Sequence, residues 1–188
     1  GRLWWTLSTS PYTEVVQQER AKQMAANPMM DALRQQDGVY SPDSDTQHRL
    51  VVVYTGDPGE GKTHSYLTMP DPSVIFDVDH GLEGVLEKFS DKDITVIPLT
   101  WPDEATQAEY KAIWSDMMDK FQLAIAALRG SGGSIVFDTF TELVELAEWA
   151  FVGKINEIPP TRHKQYQAPL RSIVRAVLDE PGLNAAFV

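Results

Sequence analysis

From Leu50 onward, short runs of apolar and mostly β-branched residues alternate with stretches whose apolar positions recur every three or four residues. Leu50–Tyr54, Val74–Phe76, Ile94–Leu99, Ser134–Phe137 and Asn184–Val188 are runs of the first kind. They lack the alternation of a half-exposed strand and read as strands buried on both faces. Tyr110, Ile113, Trp114, Met117, Phe121, Ala124 and Leu128 mark one face of a long helix. Leu170, Ile173, Val174, Val177 and Leu178 mark a second, and Leu143, Leu146, Ala147 and Phe151 a third. Strands alternating with helices of this length predict right-handed βαβ crossovers and a parallel sheet with helices on both faces. The expected fold class is therefore α/β, a three-layer core spanning 49–188.

Residues 1–48 follow another grammar. Trp4 and Trp5 lie in a short apolar patch, Ser10-Pro11 marks a turn or helix entry, and 13–26 reads as a helix. Asn27-Pro28 interrupts it, a second short helix runs through Leu33, and Gly38 to Gln47 is a polar linker. This predicts an N-terminal helical arm and linker, packed by its tryptophans on the main domain or docked on a neighbouring subunit. No internal repeat or low-complexity tract is visible.

Composition narrows the chemistry. The 188 residues hold no cysteine, which excludes disulfides, thiolate metal sites and cysteine nucleophiles and fits a reducing compartment. At 43% hydrophobic and 23% charged residues, the chain is of ordinary globular composition. The formal charge of −11 argues against a surface coated in positive potential, so any nucleic-acid contact has to be local. No apolar run approaches the ~18 residues of a membrane span, and the opening residues carry no signal-peptide pattern. The expectation is a soluble cytoplasmic protein without a membrane partner. Its first residues, Gly1-Arg2-Leu3, lack an initiator methionine and read as a processed or excised product.

The sharpest signal directly follows the first strand. Gly56-Asp57-Pro58-Gly59-Glu60-Gly61-Lys62-Thr63 fits G-x-x-x-x-G-K-[ST] at every fixed position, with His64 next. Such a loop folds tightly on its glycines so that successive N–H groups converge on phosphate oxygens at the start of the following helix. Lys62 would bridge the β- and γ-phosphates, and the Thr63 hydroxyl would ligate Mg²⁺. Residues 56–64 are thus the candidate ATP-binding segment, with ATP and Mg²⁺ as the implied cofactors. The plainer reading is a degenerate loop without a ligand. Asp57 and Glu60 occupy variable positions, where side chains can point to solvent.

Acidic residues stand at the ends of two other strands, where open α/β sheets bind ligands. Asp138 closes Ser134–Phe137 and is the second candidate metal residue; the plainer reading is a cap on the next helix. Asp77 and Asp79 close Val74–Phe76, and strand alternation places both on one side. One would orient while the other polarises water for attack on the γ-phosphate, although Asp-Val-Asp-His-Gly also suits a turn. Asp79 and Lys62 are the candidate catalytic residues. Thr139, not a second acid, follows Asp138, so a base has to come from elsewhere.

These residues together resemble the RecA-like P-loop ATPases, including bacterial recombinases and phage-encoded single-strand annealing ATPases. The resemblance covers about 50–188. Gly56–Thr63 matches the family's phosphate loop, Phe76–Leu82 the segment carrying its water-activating acid, and Ile135–Leu143 its metal-binding strand. It implies that Asp79 is the general base, that Asp138 serves Mg²⁺, and that Glu83 and Leu86 fall near the nucleotide base. RecA itself has Glu where this chain has Asp79, one methylene shorter, which implies slow hydrolysis. Measured against the family, the chain stops at Val188 one strand into its second half, and is expected to be C-terminally incomplete.

No acid lies between Glu157 and Asp179, while Arg162, Lys164, Arg171 and Arg175 all do. Arg171 and Arg175, spaced i, i+4 opposite Ile173 and Val177, should be exposed. The stretch 155–165 reads as a loop in the position of the family's first DNA-binding loop, with His163 and Tyr166 placed to stack on bases. A solvated basic face, or an inter-subunit ATP contact, explains the same residues. The resemblance implies an ATPase of phage-type recombination or replication on single-stranded DNA, self-associating with nucleotide between subunits, in the host cytoplasm if phage-encoded. The competing expectation is a nucleotide-dependent scaffold, assembly or motor module without direct DNA recognition. A small-molecule kinase lacks a visible acceptor site or lid.

Overall fold

The computed structural model describes residues 49–82, 84–155 and 157–188, all within the unit Gln47–Val188. The expected N-terminal arm of 1–48 and Glu83 lie outside the described residues. Five strands form one sheet: β1 (Val51–Val53), β2 (Ser73–Asp77), β3 (Ile94–Pro98), β4 (Ser134–Asp138) and β5 (Asn184–Phe187). Every pairing is parallel, in the order β1-β5-β4-β2-β3. The helices are α1 (Lys62–Leu67), α2 (Gln107–Leu128), α3 (Phe140–Phe151) and α4 (His163–Asp179), with short 3-10 turns at Leu86–Phe89 and Pro160–Arg162.

Alternation along the central strands sorts the core into two clusters. Val74 and Phe76 of β2, Ile135 and Phe137 of β4, and Ala185 and Phe187 of β5 pack with α2, α3 and α4. Ile75, Val136 and Ala186 project the other way and pack with Tyr66 and Leu67 of α1 and with Leu82. The layered α/β expectation is met at that level. Phe76, Phe137 and Phe187 occupy matched register positions on adjacent strands. Their rings stack at 4.9 and 5.7 Å between centroids, each such pair contributing about 0.5–1.5 kcal/mol beyond its buried area.

Local sequence explains the element ends. Thr106 and Glu109 form a capping box at the start of α2, with Thr106 N–H donating to Glu109 at 2.6 Å and Glu109 N–H to the Thr106 hydroxyl at 3.3 Å. Gly133 passes so close to the Pro72 carbonyl that a Cβ there would collide with it. The buried Asn184 side chain accepts from Leu50 N–H and donates to the Gly132 and Gly133 carbonyls, fixing β1 against β5 and the β4 entry.

Two expectations need correction. The first strand is not buried on both faces: Val51 and Val53 are 39% and 69% exposed, since β1 is an edge strand over which no helix among the described residues packs extensively. An apolar run carries no information about which strand becomes an edge. The expected loop of 155–165 is also shorter, since α4 already begins at His163. Pro169 lies inside α4 and does not end it.

Candidate functional site

The phosphate-type loop leaves β1 and enters α1. Gly56, Gly59 and Gly61 have φ of 145°, 87° and 85°, backbone that residues with a Cβ rarely adopt, which is why the motif needs glycine there. Gly56 is doubly constrained, because a Cβ would also collide with the Glu60 carboxylate. That carboxylate turns back over the loop and accepts Asp57 N–H at 3.0 Å. Lys62 Nζ donates to the carbonyls of Gly56 (2.7 Å) and Asp57 (2.9 Å), so its ammonium closes the loop on itself. Helix α1 is only six residues long, so its dipole is small and the loop amides and Lys62 would carry most of any anion attraction.

A cavity of about 790 Å³ opens over this loop. Gly56, Pro58, Gly59, Gly61, Lys62, Thr63 and His64 line it, and so do Asp79 and Asp138. Asp57 and Glu60 do not line it; both are exposed, as their variable positions suggested. The structure therefore brings the loop and both strand-end acids to one recess. Three separated segments of sequence supply them, and the parallel sheet aligns their C-terminal ends.

Asp138 ends β4 and is 3% exposed. Its Oδ2 accepts the Tyr66 hydroxyl at 2.6 Å. Burial pushes the Asp138 carboxyl above its ordinary range, and Asp79 adds to that, while the Tyr66 bond and the Lys62 charge pull it down. The Tyr66 phenol is pushed up by burial and by its bond to Asp138. Asp138 and Thr63 supply one carboxylate and one hydroxyl to the same cavity, a hard oxygen set that suits Mg²⁺, which keeps several waters and shares phosphate oxygens. Among the described residues, no three His, Asp or Glu side chains form a cage that would hold a metal without a second ligand. The donors present thus fit a metal carried with a phosphate.

Asp79 and Asp77 part company. Asp79 is exposed in the cavity, with Oδ1 accepting Gly81 N–H at 2.9 Å. Asp77 is 5% exposed, its Oδ1 has no partner, and it borders a separate recess with His80, Leu82 and Leu86. Strand alternation fails here because β2 ends at Asp77 and the chain turns, with His80 at φ 57°. Burial, then the Asp79 charge, push the Asp77 carboxyl up. The turn reading and the site reading of Asp79 coexist: one oxygen makes the turn and the carboxylate still faces the cavity.

Sequence reasoning missed Glu142, Lys88, Thr141 and Tyr54, all of which line the cavity. Glu142 had a visible signal, the Thr139-x-x-Glu142 capping spacing. Its N–H is capped by the Thr139 hydroxyl at 3.3 Å, which fixes the first turn of α3 beside the site. Burial and the Asp79 charge push the Glu142 carboxyl up. Lys88 carried no local signal; it reaches the cavity through the turn at Leu86–Phe89. Leu86 does not line this cavity but borders the neighbouring recess.

The basic residues are exposed: Arg162 in its 3-10 turn and Lys164, Arg171 and Arg175 on α4. The i, i+7, i+11 spacing of the last three puts them along one stripe. Arg171 and Arg175 flank an apolar groove of about 340 Å³ formed by Phe140, Leu170 and Val174. The stacking role given to Tyr166 is not met, because Tyr166 is 9% exposed and packs in the core, its position following Leu170 and Ile173 to the inner face. His163 is half-buried, with Nε2 3.0 Å from the Ile158 carbonyl. Among the described residues, no helix is long and apolar enough to cross a membrane. No family model, curated protein or solved structure matches the chain, so its functional reading rests on the residues and geometry set out above.

Proposed function

We propose that the chain is a RecA-like P-loop ATPase that binds ATP with Mg²⁺ and hydrolyses it slowly. The observation that carries this reading is the convergence of the Gly56–Thr63 loop, Asp138 and Asp79 on one cavity of about 790 Å³. The loop amides would cradle the phosphates, and Lys62 would exchange its two loop carbonyls for β- and γ-phosphate oxygens. Thr63 and Asp138 would hold Mg²⁺, which when bound supplies charge neutralisation to those oxygens. The Asp79 carboxylate would take a proton from water as that oxygen bonds to the γ-phosphorus. The bond to the bridging oxygen then breaks, leaving ADP and inorganic phosphate. Asp79 reaches less far than a glutamate would, and its Gly81 bond limits its swing; both favour slow turnover.

Nucleotide binding and turnover in the full chain test this. Lys62→Ala should abolish ATP binding, and Asp79→Asn should bind ATP and fail to turn it over. Full turnover in Asp79→Asn would overturn the base assignment and turn attention to Glu142, another carboxylate lining the cavity.

Action on single-stranded DNA extends the same reading and rests on the exposed stripe of Lys164, Arg171 and Arg175. The scaffold or assembly alternative is favoured by one observation, the burial of Tyr166, which removes the stacking platform. Titration of labelled oligothymidylate with ATP analogue present separates them. Salt-dependent binding lost in Arg171→Ala/Arg175→Ala supports DNA action, and no binding at low salt supports the scaffold. Self-association belongs to both readings, and size in solution with and without nucleotide tests it.

A further inference from the structure

The candidate metal ligands follow strands that are not paired with each other. Thr63 belongs to α1, which follows β1, while Asp138 ends β4; β5 lies between β1 and β4. The sheet therefore links the loop to Asp138 only through β5, with Tyr54 N–H donating to the Phe187 carbonyl and Val188 N–H to the Phe137 carbonyl. Tyr66 links α1 to Asp138 directly. It is one helical turn beyond Thr63, only 1% exposed, and packed among Ile75, Val136 and Ala186. Its hydroxyl donates to Asp138 Oδ2 at 2.6 Å, with the Thr63 and Asp77 side chains also near it.

We infer that Tyr66 is a positioning residue of the Mg²⁺ site, holding the Asp138 carboxylate against α1 so that its second oxygen faces the metal carried by the nucleotide. A short bond from a buried hydroxyl to a carboxylate fixes the rotation of that carboxylate and selects the oxygen left free. The Asp138 Oδ2 has no other protein donor among the described residues, so loss of the phenol oxygen leaves the group free to rotate. Partners of this kind orient metal ligands, and their removal typically costs about 10–100-fold in metal affinity. The inference rests on the Mg²⁺·ATP reading of the cavity and names a residue that the phosphate-loop pattern does not contain.

The test compares full-length wild type with Tyr66→Phe, which removes one oxygen. Mn²⁺ serves as an electron-spin-resonance probe beside a non-hydrolysable ATP analogue. Binding of the analogue alone is measured in chelator, and folding by thermal unfolding. Tyr66→Phe should fold, keep its metal-free affinity for the analogue, and bind Mn²⁺ about 10–100-fold more weakly. Unchanged Mn²⁺ affinity, or equal loss of analogue binding with and without metal, overturns the inference while the functional reading stands. Wild type that binds no analogue under either condition overturns the functional reading itself. If Tyr66→Phe fails to fold, proton resonance of wild type decides: the Tyr66 hydroxyl signal should shift when Mg²⁺ joins the analogue and not with the analogue alone. No shift on adding Mg²⁺ overturns the inference.

Discussion

On one face of the sheet, α2, α3 and α4 close over an aromatic row running from Phe76 through Phe137 to Phe187, with Phe140 edge-on to the last two rings. On the other, among the described residues, the six-residue α1 and the turns around Leu82 to Phe89 cover Ile75, Val136 and Ala186. The candidate chemistry gathers on the strand ends beside this thinner layer, and Tyr66 is the residue that belongs both to that layer and to the site. The heavily packed face holds β2, β4 and β5 in register, so that Asp138 is presented from a fixed support. Beside the other face, the loop is closed by hydrogen bonds from Lys62 to the Gly56 and Asp57 carbonyls. The larger core cluster and the candidate chemistry are thus divided between two faces of one sheet.

Substitutions on each face should break different things. The largest stability effect is expected from Phe137→Ala, which removes the central ring of the stack and should cost about 3–5 kcal/mol in denaturant unfolding. Gly56→Ala should instead spare most of the stability and lower nucleotide affinity, because a Cβ there drives the Glu60 carboxylate out of its position. Binding titrations beside unfolding curves separate the two outcomes. A fall in stability as large as that of Phe137→Ala would erase the division between faces.

A smaller effect sharpens the contrast through pH. Asp77 is buried with an unpartnered oxygen, and its carboxyl is raised in the folded chain. The folded form therefore keeps this proton to higher pH than the unfolded form. The stability it confers is full below the ordinary carboxylate value of about 4 and fades as pH rises through the raised value. Asp77→Asn should remove that fall and raise the thermal midpoint at pH 7 relative to the wild type. An identical pH slope in thermal melts would show that Asp77 is solvated or paired. The smallest expected effect is that of Glu60→Gln, which keeps an acceptor for Asp57 N–H and should change nucleotide affinity by less than about tenfold.

Much of this was legible in the chain because it was encoded locally. The apolar runs ending at Phe76 and Phe137 announced buried strands, and the glycines at 56, 59 and 61 announced a tightly folded loop. What escaped was set by distant partners. Val51 and Val53 look like core in sequence and are exposed on an edge strand over which no described helix packs extensively. Tyr166, taken as a base-stacking residue, belongs to the inner face of α4 once that helix starts at His163. Alternation placed Asp77 and Asp79 on one side of the strand end, and the turn after β2 separates them. Tyr66 carried no signal at all, since its role depends on Asp138, 72 residues away.

The central claim is that the cavity over Gly56–Thr63 takes ATP through its phosphates. Calorimetric titration of the full chain with Mg²⁺ and a non-hydrolysable ATP analogue tests it most directly, run beside Lys62→Ala. The account expects saturable one-to-one binding in the wild type, weakened by chelator and absent in Lys62→Ala. Absence of binding in the wild type, or equal binding in Lys62→Ala, would contradict it.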